Sequence, residues 1–490
     1  MRAAAAPAYA RILVAISALA GHKKSLILAF LFCAFPTGLL CALITPPGQV
    51  PDEPAHVARA LGLLHGAVLA VRKPGLNPDD GKPETQTGVK VDVGLQISST
   101  APATIIAGRP VITSANMQQA LDEPPNHTPY FVNLPNMASY FPIIYSPAAL
   151  GFAVGLASHA TPHICFLLAR FFMLATFLAV GVAALWAAQY GEALIITVLL
   201  MPMTLFLAGS VNQDGIFIAL ACFGCAALTR MAGRWRFWGF ASLAVIIGAK
   251  APYMPLLGVF LQPFSPGLWR RLRHLIYVAA PICFWVVLIS LLVVVPWAKA
   301  PYHPGAFYTG DRSILLDHVS PSGNLHLLLA APSRFITLPW QAVQQNGVDL
   351  LRQMIGVLGA LQLILGHAAY RLWAASLGCA CLGLVLVPRP AGTPSSSASN
   401  QAFAGFIIIF TLWIMMIAIY VDYTDLGMTF IDGLEGRYIL PFLPFLLFAL
   451  PSWPARRTFS PLLPAMPAIA LGIADIGYIP LKLIYFYYVS

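Results

Sequence analysis

The sequence predicts an all-α polytopic membrane protein. It has about eleven transmembrane helices and two long external loops forming a partly helical cap. Three observations carry this expectation. Of the 490 residues 59% are hydrophobic and only 9% charged, against roughly 25% charged in soluble domains. Apolar runs close to the ~20 residues that cross a bilayer as a helix recur along the chain. Short alternating segments spaced by turns, the mark of an outer-membrane barrel, do not dominate. The same composition excludes a soluble enzyme, which needs a charged coat, and a disordered chain, which needs low hydrophobicity.

Residues 1–24 are Ala-rich and basic and read as a cytoplasmic N-terminus. Residues 25–45 form the first transmembrane helix; no Ala-x-Ala cleavage site follows, so it is expected to be retained. Further apolar runs lie at 143–158, 164–187, 193–208, 215–229, 238–262, 276–297, 366–387, 401–421, 437–451 and 461–481. They divide the chain into a first external loop at 46–141, a helix cluster at 142–297, a second external loop at 298–365, and C-terminal helices at 366–490 interrupted by an external loop at 422–436.

The net charge of +10 comes in short clusters at the ends of apolar runs, such as Lys23-Lys24, Arg270-Arg271-Arg273 and Arg456-Arg457. That is the positive-inside pattern and calls for no nucleic-acid partner. Fifteen of the 18 Asp and Glu fall in the three long loops, while most Lys and Arg lie elsewhere. The three loops are therefore expected to share the external side. If every run from 143 to 297 spans once, Asp214 lies inside and Arg230, Arg234 and Arg236 outside, against the rule. If instead one early run fails to cross and 238–262 bends back at Lys250-Ala-Pro-Tyr253, the arginines lie inside and Asp214 and Lys250 outside. We favour the second map. The eight cysteines all sit in apolar runs, so no disulfide framework is expected; Cys222-Phe-Gly-Cys225 reads as small apolar packing.

Candidate chemistry gathers at the loop boundaries. Pro46-Pro47 end the first helix, and Asp52 is placed to cap a short helix running to about Val71, with Pro54 in its first turn. Asp52, His56 and Arg59 follow at spacings of four and three, which puts them on one helix face. This is either a capped amphipathic helix on the membrane or an acidic pair, Asp52-Glu53, at the water boundary. A carboxylate there takes a proton from a hydroxyl, and a nearby cation holds a phosphate. Asp214 and Lys250, flanked by membrane segments, are functional candidates by position. Arg437, followed by Tyr438, enters the membrane from the outside and either snorkels or acts specifically.

The stretch Pro51-Asp52-Glu53-Pro54-x-His56-x-x-Arg59-Ala60 resembles the opening of a bacterial membrane family catalogued as domain of unknown function 2142. Tyr140-Phe-Pro-x-x-Tyr145-x-Pro147, Ser210-x-x-x-Asp214-Gly215, Lys250-x-Pro252-Tyr253 and Gly436-Arg437-Tyr438-x-x-Pro441 are similar to it in order and spacing, over roughly residues 25–450. That family looks like a branch of the GT-C glycosyltransferases. The resemblance implies a polyprenyl-phosphate sugar donor, an envelope glycan or lipid acceptor, surrounding membrane lipids, and a multi-pass location in the bacterial inner membrane. It further implies Asp52, with Glu53, as the base, and His56, Arg59, Asp214, Lys250, Arg437 and Tyr438 around the substrate. Among the cations, Arg437 is the first choice for the leaving phosphate and Arg59 the second. No Asp-x-Asp pair stands here, so no cofactor is assigned and a divalent cation is left open. A transporter or flippase of lipid-linked saccharide and a non-catalytic assembly partner are the alternatives.

Overall fold

A helix of ~20 residues rises about 30 Å, the thickness of the hydrocarbon layer, and this length sorts the apolar runs into two kinds. The computed structural model describes residues 8–76, 83–100, 104–106, 109–111, 113–134, 137–230, 233–262, 267–294, 320–390, 397–453 and 462–489. The N-terminal residues 1–7, the 295–319 part of the second loop and the Arg456-Arg457 cluster lie outside the described residues. Six helical segments are long and apolar enough to cross a membrane: His22–Ile44, Pro162–Ala187, Leu268–Leu292, His367–Leu386, Ala398–Tyr423 and Leu463–Val489. The chain is a membrane protein with several transmembrane helices.

The remaining five runs are short or broken, and proline is the usual reason. The run at 193–208 divides at Pro202 into α7 (Glu192–Leu200) and α8 (Pro202–Ala208), both wholly buried at the centre of the bundle. The run at 238–262 becomes α10 (Gly233–Ala249) followed by a 3₁₀ segment, Ala251–Leu261, which contains Pro255. The run at 437–451 is a 3₁₀ segment, Gly436–Phe445, with Pro441 and Pro444 inside it, and one α-turn, Leu446–Ala449. Proline lacks the amide donor that the α-helical ladder needs. The other two runs give α5 (Ser146–Ala157) and α9 (Asp214–Leu228).

Contacts define two ends of the bundle. At one end Lys23 donates to the carbonyls of Trp186 and Ala188, at the close of α6 (Pro162–Ala187), and lies 4.0 Å from Glu192. Arg230 donates to the carbonyls of Trp186 and Ala187, and Arg389 to that of Leu450. Cations on C-terminal helix carbonyls satisfy acceptors the helix leaves open. At the other end α1 (Ala8–Ile44) runs out at Thr45 beside Arg170, and Asp214 meets Lys250. Helix α10 therefore climbs from Arg230 to Lys250 and the 3₁₀ segment turns back. Helix α5 starts beside His56 and packs along the first half of α6. The backbones are so close that a Cβ on Gly151 would fall 2.6 Å from the Cα of Ala169.

The first loop combines short helices with strands the sequence did not suggest. Helix α2 (Glu53–Leu64) stops well short of Val71, at a turn through Gly66 with φ +75°. Strands β1 (Val71–Leu76), β2 (Pro83–Asp92) and, later, β5 (Pro129–Asn133) form an antiparallel sheet in the order β1-β2-β5, with Val71 opposite Gly88 and Val89 opposite Val132. Residues 87–92 of β2 are buried except Lys90, so this strand is covered on both faces over most of that length. Between β2 and β5 lie α3 (Val93–Ser98), a short hairpin of β3 (Thr104–Ile106) and β4 (Arg109–Val111), and α4 (Ser114–Leu121). The sheet rests on the end of α11 (Leu268–Leu292), where Thr87 Oγ1 donates to the Val293 carbonyl at 2.8 Å. The described part of the second loop contains α12 (Pro321–Ala330), α13 (Arg334–Gly356) and a short hairpin of β6 (Val357–Leu358) and β7 (Leu363–Ile364). Asn324 of α12 donates to the carbonyls of Tyr420 and Thr424, joining the second and third loops at the Asp52 end.

Candidate functional site

The site grows from the exit of α1. Pro46, Pro47 and Gly48 turn the chain, and Asp52 then takes a left-handed backbone conformation, φ 59° and ψ 5°. Asp tolerates this region better than most residues, but at a cost that surrounding structure must hold. Asp52 stands at the N-cap of α2, yet its side chain makes no capping bond. The carboxylate instead accepts from Arg437 Nη2 at 2.5 Å, across 385 residues of chain.

Arg437 is 1% exposed and shared among three carboxylates. Its Nη1 lies 3.4 Å from Asp214 Oδ2, and its Nε donates to Glu435. The other Asp214 oxygen accepts from Lys250 Nζ at 3.1 Å. Lys250 stands 4.8 Å from the Tyr438 ring centre, and the Tyr140 and Phe217 rings flank it at 5.9 and 5.5 Å. These faces favour a cation. Gly436 makes the approach of α13 physically feasible, since a Cβ there would fall 2.0 Å from the Leu350 carbonyl oxygen. Gln353 of α13 in turn accepts from the Gly436 amide at 2.8 Å. Asp52 is the most open of the three carboxylates, with 31% of its side chain exposed, against 21% for Glu435 and 6% for Asp214. Burial opposes ionisation of Asp52, but the Arg437 guanidinium and His56 outweigh it and hold the carboxyl below the ordinary range. Burial pushes the Glu435 carboxyl up, against the pull of Arg437.

His56 lies beside this cluster in a buried relay. Its Nδ1 is 2.7 Å from Tyr145 Oη, and that hydroxyl donates to Gln213 Oε1 at 3.1 Å. Gln Oε1 only accepts, so Tyr145 gives it the proton and takes one from His56, which places the imidazole hydrogen on Nδ1. Burial lowers the His56 pKa to about 4, so the ring is neutral at physiological pH.

Two expected site residues face elsewhere. Glu53 is fully buried and pairs with Arg170, which donates through Nε at 2.8 Å and Nη2 at 2.6 Å. Arg170 also clamps the carbonyls of Ala42, Thr45 and Pro46, and Glu53 accepts from the Val211 amide at 3.1 Å. Asn212 continues this corner, donating to the Pro51 carbonyl at 2.7 Å and accepting from the Asp214 amide at 2.7 Å. Arg59 points to the other end of α2 and donates to the carbonyls of Ala67 and Val68 at 2.9 and 2.7 Å, so it does not share the Asp52 face. Asp52, His56, Asp214, Lys250, Arg437 and Tyr438 do come together. Sequence reasoning passed over Arg170, Gln213 and Glu435 as site residues. The signal for Arg170 was a charge well inside an apolar run, which is costly unless paired.

The family model described as a predicted membrane protein (DUF2142) matches residues 35–446. The chain belongs to the DUF2142 family. Asp52, Asp214, Lys250, Arg437 and Tyr438, and the Glu53–Arg170 corner, all lie inside the stretch this family shares. No curated protein and no solved structure matches the chain. Among the described residues no group of three or more His, Cys, Asp or Glu is placed to hold a metal ion. The three carboxylates Asp52, Asp214 and Glu435 are paired with two cations, Arg437 and Lys250.

Proposed function

We propose that this DUF2142 member is a glycosyltransferase of the bacterial inner membrane. It would move a sugar from a polyprenyl-phosphate donor to an envelope glycan or lipid acceptor on the external face. One observation carries the reading: an ionised, water-accessible Asp52 carboxylate, held in a rare backbone conformation, sits directly against a buried arginine at the mouth of a helical bundle. Active sites concentrate such conformations and such pairs.

In this mechanism Asp52 takes the proton of the acceptor hydroxyl. The hydroxyl oxygen attacks the anomeric carbon, the bond from that carbon to the phosphate oxygen breaks, and polyprenyl phosphate leaves with the electron pair. Arg437 and Lys250 stabilise the phosphate as its charge develops. The Arg59 guanidinium is spent on two carbonyls and Glu53 on Arg170, so neither carries a role in the chemistry. Tyr140 and Tyr438 bring aromatic rings to 5.9 and 4.8 Å from the Lys250 ammonium.

A general base contributes about 10²- to 10⁴-fold, so Asp52→Asn is expected to abolish most transfer at an unchanged protein level. Glycan product and protein level measured together decide it; normal product from Asp52→Asn overturns the reading. The external placement has its own test. In a cysteine-free background, Ser322→Cys and Thr429→Cys are expected to react with an impermeant thiol reagent in intact cells, and Lys24→Cys only after the membrane is opened. The reverse pattern would invert the bundle and remove the site from the external face.

A further inference from the structure

We infer that the Asp52 carboxylate occupies the place of an isoprenyl-phosphate headgroup on Arg437, and that binding of the phosphate displaces it. The inference rests on the glycosyltransferase reading and specifies how its site is kept before the donor arrives.

The geometry forces an exchange. Arg437 is 1% exposed, and all three of its guanidinium nitrogens already face carboxylates: Asp52 and Asp214 on the two terminal nitrogens and Glu435 on Nε. Arg437 Nη2 also lies 3.4 Å from the hydroxyl of Tyr438, the next residue in the chain, and at 1% exposure the guanidinium has no open side, so a phosphate reaches it only by displacing a neighbour. Asp214 is fixed, because Lys250 holds its second oxygen and the Asn212 side chain its amide. Glu435 lies two residues from Arg437 on the same segment, which Gln353 pins at Gly436, so it travels with the arginine. Asp52 comes from a different part of the chain, is the most exposed of the three, and makes no capping bond to its own helix. It is the ligand free to leave. An Arg–phosphate contact reproduces the charge-assisted bonds that Asp52 gives up. Once displaced, Asp52 loses the cation that holds its carboxyl down, and becomes a stronger base at the moment the donor is in place. The resting bridge thus keeps the buried arginine neutralised and the base quiet.

The test is equilibrium binding of farnesyl monophosphate to the full-length protein in detergent, with inorganic phosphate, farnesol and phosphatidylglycerol as competitors. Asp52→Asn removes the resident charge and is expected to tighten farnesyl monophosphate binding about tenfold, the scale of one charge-assisted hydrogen bond. Glu435→Gln is expected to tighten it less, and Arg437→Gln to abolish it. Asp52→Gly, which a φ of 59° accommodates, repeats the gain if the Asn variant is poorly folded. Unchanged or weaker binding in both Asp52 variants overturns the exchange while leaving Arg437 as the phosphate ligand. Equal tightening by Glu435→Gln also overturns it, because a general field effect then suffices. Undiminished binding by Arg437→Gln, or no binding by any variant, removes the phosphate role and the proposed function with it. Competition by farnesol or phosphatidylglycerol as strong as by unlabelled farnesyl monophosphate shows recognition of a chain or a generic headgroup and overturns the assignment. Equal competition by inorganic phosphate overturns the lipid part.

Discussion

Asp52 and Glu53 are neighbours in sequence and acids of similar strength, yet they end in opposite kinds of ion pair. Glu53 and Arg170 are 0% and 1% exposed, and every donor of that guanidinium is satisfied by a carboxylate oxygen or a helix-end carbonyl. Asp52 meets an equally buried arginine from the open side, with 31% of its own side chain exposed. The first pair ties α1, α6 and the Ser210–Asp214 turn into one corner. The second stands at a surface where another molecule can compete for it. A closed pair specifies structure; an open one beside it is available for chemistry.

The comparison breaks most visibly at the closed pair. Removing one partner of a buried ion pair costs about 3–5 kcal/mol, because the other charge is stranded. Glu53→Ala and Arg170→Ala are therefore expected to lower the thermal midpoint of the detergent-solubilised protein sharply, and the amount in the membrane with it. If either variant is as stable as the parent, the corner is not what holds Asp52 in place.

His56 gives the next effect. Its folded pKa of about 4 lies below the 6.5 of the unfolded chain. Between those values the unfolded state binds a proton that the folded state refuses, so stability is full above pH 6.5 and falls as the pH drops towards 4. The loss is on the order of 3 kcal/mol over that window. His56→Gln is expected to flatten the pH dependence of the midpoint there; an unchanged slope would assign it to other groups.

Asp52→Asn is expected to cost only about 1 kcal/mol in stability, since Asn accepts the left-handed conformation and Arg437 keeps two carboxylates. Asp52→Ala adds about 1–2 kcal/mol of backbone strain. A large loss from Asp52→Asn would make the open pair structural too and erase the contrast. The smallest effect is expected at Arg352, whose bond to Asp349 is exposed on both sides, 41% and 64%. Arg352→Ala is expected to move the midpoint by an amount worth less than about 1 kcal/mol, and serves as the baseline for the others.

Much of this was legible before any coordinates. The excess of apolar residues fixes a membrane bundle, and the charges stranded between apolar runs, at Asp52, Asp214, Lys250 and Arg437, mark the positions that converge. The sheet in the first loop was not read from the sequence: Val89-Lys90-Val91 is too short an alternation to stand out inside a long polar stretch.

What the sequence alone determined is therefore that the chain is a membrane bundle and which charges demand a partner, because burying an unpaired charge in lipid is costly. Which apolar runs are long enough to cross was decided by the fold, where five of them are short or broken. Nor could the sequence say which partner each charge takes. Glu53 and Arg170 lie 117 residues apart and Asp52 and Arg437 385 apart, and no periodicity links them. That two adjacent acids diverge, one sealed into a corner and one left facing water, depends on a left-handed turn at Asp52. Only the packing of α1, α6 and the Gly436–Phe445 segment around that turn holds it, because an isolated chain has nothing to offset its strain.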